Sequence, residues 1–279
     1  IPYMELPAVQ KHLIKRCRLL GKRVITATEM FESMITNPRP TRAEISDVAN
    51  AVYDGSSAIM LSGETASGKY PVESLQKMAE IAEFTENNID YKKRFRDTEY
   101  VIKDNLDAVS HSTCAMAIDT DAKGIVISSL SGVTVRMVSR FRAPVDIIGV
   151  TTSEKAWRKL NLSWGVIPVM SEEFNSMDVI FYQALRYAKE VLNLSSGDNV
   201  VLTGGQISGK GGVFSGQGGL IGRKGGVVLI GSAQIIRQGI ILAQQQRVVP
   251  GVRLGPLIRN VNLPGQGRLG GLGGGQLAI

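Results

Sequence analysis

Acidic residues run out well before the chain does. None follows Asp198 in a sequence of 279 residues. From Gly204 to Ile279 there are eight Lys or Arg residues, 22 of the 31 glycines, one aromatic residue, Phe214, and no histidine. The other 24 basic residues stand before Gly204, against all 25 acidic ones, so the net charge of +7 belongs to the tail. Glycine at this density raises the entropic cost of ordering a chain. Residues 206–279 are therefore expected to form a Gly-rich irregular tail, poorly ordered or foreign to what precedes it. It carries bases but neither interleaved aromatics nor RGG repeats, so nucleic-acid binding is not expected of it.

Other scarcities are equally informative. No run of about 18 apolar residues is free of charge, which argues against a membrane-spanning helix. There is no N-terminal signal pattern and no initial Met, so the chain reads as a fragment or processed product. Only two cysteines occur, Cys17 and Cys114, without metal-binding spacing. Unpaired thiols fit a reducing cytoplasm, with each Cys a buried small hydrophobe. His12 and His111 have no matching ligands and read as plain helix residues. Trp157 and Trp164 flank a short turn and are expected to pack. What is present suffices for a globular protein: 43% apolar and 20% charged residues, over a length suited to about two domains.

The hydrophobic rhythm describes an α/β protein. Residues 1–22 suggest an amphipathic helix with Val9, Leu13, Ile14 and Cys17 on one face. VITAT (24–28) and AIMLS (58–62) read as buried strands. Between them, Thr41 and Glu44 have capping-box spacing, Ile45, Val48, Ala49 and Val52 form a stripe, and Gly55 suits a helix terminator. Pro71 suits the first turn of a helix running to about Asn87. A polar stretch, 89–105, reads as a linker. Beyond it helices and strands alternate: DAVSHSTCAMAID, GIVISSL, TVRMVSRF, DIIGVT, SEKAWRKLN, GVIPVM, SMDVIFYQALRYAKEVL and NVVLTGG. That grammar predicts a small doubly wound sheet over 106–205.

The stretch GETASGKY, 63–70, stands one residue from the phosphate-gripping pattern G-x-x-x-x-G-K-[ST]. Tyr70 replaces the hydroxyl residue that would hold a metal ion. Pro71 removes an amide from the helix start. The stretch is expected to be a connection at the carboxyl end of a strand, where α/β proteins place their chemistry.

Its context is more specific. Ala27 to Met34 (ATEMFESM), Pro38 to Glu44 (PRPTRAE), Asp47 to Val52 (DVANAV) and Ile59 to Ala66 (IMLSGETA) resemble, in order and spacing, four segments of pyruvate kinase. IPYMELPAVQKHLIKRC also resembles the family, and a weaker resemblance continues to about Gly205. The resemblance implies the last two strands and helices of a (β/α)8 barrel over 1–88, a linker, and an α/β effector domain over 106–205. The implied reaction is phosphoryl transfer from phosphoenolpyruvate to ADP, with Mg²⁺ and K⁺. Thr28 matches the active-site threonine that helps deliver a proton to the enolate, and Ser62 a serine lining the same site. Glu29 replaces a commoner Gln and adds a negative charge beside them. Ser129, Ser131, Gly132 and Thr134 match a loop that grips a sugar-phosphate effector. A second effector loop would begin at TGGQISGKGG.

The family's catalytic lysine, its ligands for Mg²⁺ and K⁺, and its ADP-binding arginine have no counterpart in these residues. No turnover is expected of the chain alone. The resemblance further implies a cytoplasmic homotetramer. The competing reading is a non-catalytic module, binding a phosphorylated effector or pairing with other subunits.

Overall fold

A computed structural model describes residues 1–174, 176–204, 229–236 and 239–243. The GKGG stretch of the second effector-loop motif and residues 244–279 lie outside these.

The first region begins with a 3₁₀ turn (Tyr3–Glu5) and helix α1 (Leu6–Leu19). Strand β1 (Ile25–Ala27), a 3₁₀ turn (Glu32–Ile35) and helix α2 (Arg42–Asp54) follow. Strand β2 (Ala58–Met60), the single helical turn α3 (Gly63–Ala66) and helix α4 (Pro71–Asn87) complete it. The helix boundaries have local causes. Thr41 Oγ1 accepts from the Glu44 N–H while Glu44 accepts from the Thr41 N–H, so the capping box closes in both directions. Gly55 ends α2 at φ +96°, a left-handed conformation that an L side chain resists.

β1 and β2 pair in parallel, with Ile25 opposite Ala58 and Ala27 opposite Met60. Their side chains are not buried on both faces, as the apolar runs suggested: Ile25 is 46% and Met60 43% exposed. The reason is that each strand has one described neighbour, so the pair lacks the surrounding sheet that would cover its second face. The core here is Met30, Phe31, Met34, Val48, Ala51 and Met78. Of the expected face of α1, Ile14 is buried but Leu13 is exposed, and Arg18 is buried in addition. Ile45 is likewise exposed, and Cys17 is half-buried.

The stretch 89–105 holds helix α5 (Tyr91–Asp97), started by Asp90, whose side chain accepts from the Lys93 N–H. Phe95 anchors it in the second region's core. Then come α6 (Asn105–Asp119), β3 (Gly124–Ser128), α7 (Val133–Ser139), β4 (Asp146–Thr151), α8 (Glu154–Leu160), β5 (Val166–Met170), α9 (Met177–Leu192) and β6 (Asn199–Gly204). The strand order is β5-β4-β3-β6, all parallel. β3 and β4 are rich in Ile and Val on both faces because both faces are covered. Ile125, Ile127 and Ile147 pack toward α6, α7 and α8, and Val126, Ile148 and Leu202 toward α9. Pro168 is tolerated because β5 is an edge strand.

The expected irregular tail contains two strands, β7 (Leu229–Ile236) and β8 (Gly239–Ala243), which extend the sheet, β7 antiparallel to β6 and β8 antiparallel to β7. The averaged Gly content concealed LIGSAQII and GIILA, two charge-free runs rich in β-branched residues.

All these elements belong to one compact unit. Arginines join its two regions. Arg136 Nη1 donates to the Gly21 carbonyl, Arg140 Nη1 to Leu19 O at 3.1 Å, and Arg142 Nη2 to Gly55 O at 2.8 Å. The acceptors are the last carbonyls and exits of α1 and α2, where a helix lacks internal donors and its dipole favours cations.

Candidate functional site

β1 and β2 run in parallel, so their carboxyl ends open on the same side. Thr28 follows β1 directly, and Ser62 lies two residues beyond β2. Thr28 is exposed and takes φ +69°; Glu29 follows at φ +53°. Two successive non-glycine residues in the left-handed region are uncommon, and a β-branched Thr there is strained. Such a conformation persists only where the surroundings enforce it. Two carboxylates fix the residues that follow in this loop, Phe31 and Ser33.

Glu64, 1% exposed, accepts from the Phe31 N–H at 3.0 Å and the Ser62 N–H at 2.6 Å. One side chain thus ties the loop after β1 to the loop after β2. Glu44 accepts from the Ser33 N–H and hydroxyl at 2.7 and 2.6 Å, besides closing the helix cap. Burial would raise its pKa, but the hydrogen bonds from Ser33 and Thr41 outweigh that and hold it below the usual carboxylate value. Sequence reasoning found the cap at Glu44 but not its grip on Ser33, and missed Glu64. A glutamate two residues past a strand-end serine was the available signal.

GETASGKY has no free amide cradle. The N–H groups of Ser67 and Gly68 donate to Gly63 O, and that of Lys69 to Ile35 O. Lys69 itself is exposed. The loop is closed upon itself, as a strand-to-helix connection would be.

Among the described residues, no three His, Cys, Asp or Glu side chains converge on a possible metal position. Glu64 and Glu44 are consumed by amides and hydroxyls. These residues do not make a Mg²⁺ site by themselves.

The second group lies at the carboxyl end of the six-stranded sheet. Ser129 is buried directly after β3, Ser131 is exposed, and Thr134 is half-buried in the first turn of α7. Gly132 precedes α7 at φ +71°, and a Cβ there would stand 3.2 Å from Leu160, so a side chain fits neither the backbone nor the space. Ser131 Oγ accepts from the Val133 N–H at 3.4 Å. A small cleft at this end is lined by Ser128, Thr151, Thr152, Ser171, Glu172 and Gln183, among others. Ser129 Oγ, Gln183 Oε1 and Thr203 Oγ1 are buried without a partner among the described residues.

The remaining sequence candidates are structural. His12 is exposed on α1. His111 stacks on Phe95 at 4.9 Å and meets Phe141 edge-on, and burial followed by nearby Arg140 lowers its pKa. Trp157 donates to Pro168 O, and Trp164 to Glu86 while packing on Tyr91.

Two family models match these regions: "Pyruvate kinase, barrel domain" over residues 1–75 and "Pyruvate kinase, alpha/beta domain" over 107–214. The chain belongs to the pyruvate kinase family. It is 46% identical over 206 residues to the pyruvate kinase of Clostridium acetobutylicum, covering 74% of this chain and 44% of that one. With that of Staphylococcus epidermidis it is 45% identical over 211 residues, covering 75% and 36%. A crystal structure of the Cryptosporidium parvum pyruvate kinase superposes with a TM-score of 0.69 at 36% identity, covering 72% of this chain and 41% of that one. The chain thus spans less than half the length of these relatives.

Proposed function

We propose that this chain supplies the end of the catalytic barrel and the effector domain of a pyruvate kinase, which transfers a phosphoryl group from phosphoenolpyruvate to ADP. The observation that carries the reading is Thr28, in a left-handed conformation at the carboxyl end of β1, in a loop whose Phe31 amide is tied through Glu64 to the Ser62 amide after β2. In this reading residues 1–88 complete a (β/α)8 barrel, 89–105 connect, and 106–205 form the effector domain. The half-exposed faces of β1 and β2 fit a sheet that continues into further strands.

Thr28 would stand over the enolate left when the phosphoryl group departs, and its hydroxyl would help to deliver the proton that yields pyruvate. Ser62 would line the same site from the end of the neighbouring strand. Mg²⁺ and K⁺ supply charge neutralisation in this chemistry, but their ligands are not residues of this chain. Glu29, exposed beside Thr28, adds a negative charge that the neighbouring cations must offset.

Ser129, Ser131, Gly132 and Thr134 would take the phosphate of a sugar-phosphate effector. The unpartnered Ser129 hydroxyl and the left-handed Gly132 at the start of α7 support this. A homotetramer in the cytoplasm completes the proposal. The second reading is a non-catalytic effector-binding or pairing module.

A chimera separates the two. Residues 1–204 replace the matching part of the Clostridium acetobutylicum relative, and pyruvate release is measured with phosphoenolpyruvate, ADP, Mg²⁺ and K⁺. Turnover by the chimera, with none by the chain alone, is expected. A folded but inert chimera would favour the second reading. For the effector loop, a sugar-phosphate titration that cannot distinguish Ser131→Ala from the parent would contradict the assignment.

A further inference from the structure

Two buried guanidinium groups meet over Gly55 without a carboxylate between them. Arg18 comes from α1 and is 8% exposed; Arg142 follows α7 and is 3% exposed. Arg18 Cδ lies 3.0 Å from where a Gly55 Cβ would stand, and Arg142 Nη2 donates to Gly55 O at 2.8 Å. Nε and Nη1 of both residues are buried and have no partner among the described residues. Arg94 also stands within electrostatic reach of Arg18.

The acids nearby are engaged elsewhere. Asp107 Oδ1 faces Arg140 Nη2 at 3.0 Å, and Oδ2 accepts from the Lys103 N–H. Glu86, whose charge reaches Arg142, accepts from Trp164 Nε1 at 2.8 Å. The residues after Asp198 contain no acidic side chain to contribute. Burying one cation without a partner is costly, and burying two side by side is costlier. Arginine does not escape by losing its proton at neutral pH. Burial, then Arg18, pulls Arg142 down to about 9, which still leaves it charged. The terminal carbonyls of α2 offset only part of this charge.

We propose that a dianionic tetrahedral oxyanion, free phosphate or a phosphate monoester, binds between Arg18 and Arg142. Four unused nitrogens on two guanidiniums, one from helix α1 and one from the loop after α7, suit several oxygens around one centre better than a planar carboxylate. The two positive charges match two negative ones. Arg94, within electrostatic reach of Arg18, also lines a surface groove with Tyr53, Lys93, Asp90 and Asp97. The site lies at the junction of the two regions, away from the Ser129–Thr134 loop, and is independent of the effector reading.

The test is thermal unfolding of the full chain in inorganic phosphate or glycerol phosphate, with chloride holding the ionic strength constant. The parent is expected to show a saturable rise in Tm, because a ligand that binds only the folded state stabilises it by mass action. Arg18→Met should start above the parent in phosphate-free buffer and show no phosphate-dependent rise. Ser131→Ala should keep the full rise, which separates this site from the effector loop. The more potent of the two phosphates identifies the source. No saturable rise in the parent, or an undiminished rise in Arg18→Met, would overturn the proposal. Should Arg18→Met fail to fold, ³¹P line broadening on the parent and Arg18→Lys decides: equal broadening, or none in the parent, overturns it.

Discussion

Replacing Glu64 tests whether one buried carboxylate holds the two site loops together. In Glu64→Ala, the Phe31 N–H loses its acceptor in a fully buried setting, and the half-buried Ser62 N–H loses its own. A hydrogen bond to a charged group contributes about 1.5–3 kcal/mol, and solvent can partly replace the one at Ser62, so a loss of about 3–5 kcal/mol is expected. Glu64→Gln is the sharper change because it keeps the volume. It retains one acceptor oxygen and turns an NH₂ group toward the other amide, at a cost of about 2–3 kcal/mol. Urea unfolding at neutral pH gives the stability, and amide exchange at Phe31 gives the local effect. A Glu64→Gln chain within about 0.5 kcal/mol of the parent, the range of an ordinary surface change, with unchanged exchange at Phe31, would refute the reasoning.

Other predictions follow from single groups. Thr41→Ala should cost about 1 kcal/mol in urea unfolding, because one side of the cap on α2 is lost. Tyr91 is raised to about 12, first by burial and then by Glu86. The folded state keeps that proton while the unfolded chain releases it near pH 10, so stability should fall as pH rises from about 10 to 12. Absorbance titration with Tyr91→Phe checks this: the variant should lose less over that interval. Of the two thiols, half-buried Cys17 should react quickly with a thiol reagent. Cys114, fully buried and with its pKa pushed far up by burial, should react only on unfolding.

Much of the fold was legible because its causes are local. The cap at Thr41, the terminator at Gly55, the start at Pro71 and the Ile/Val strands all follow from short-range rules. The burial of β1 and β2 was not legible, since a strand's second face depends on neighbours that its own residues do not name. β7 and β8 were hidden by composition, because a glycine-rich average says little about two short apolar runs within it. At the site, Thr28 and Ser62 were candidates through the family resemblance, and the structure puts each just beyond the end of a parallel strand. The roles of Glu64 and Arg142 were not legible, because their partners lie 33 and 87 residues away or are backbone groups without a sequence signature.

The central claim is that Thr28 does chemistry at the end of β1. The most direct measurement is kcat and KM of the chimera carrying Thr28→Ala, beside Thr28→Ser. A positioned proton donor contributes about 10²–10⁴-fold. The account predicts a kcat lower by about 10²-fold or more in Thr28→Ala, little change in KM for ADP, and substantial recovery in Thr28→Ser, which keeps the hydroxyl. A Thr28→Ala chimera turning over at the parental rate would contradict it.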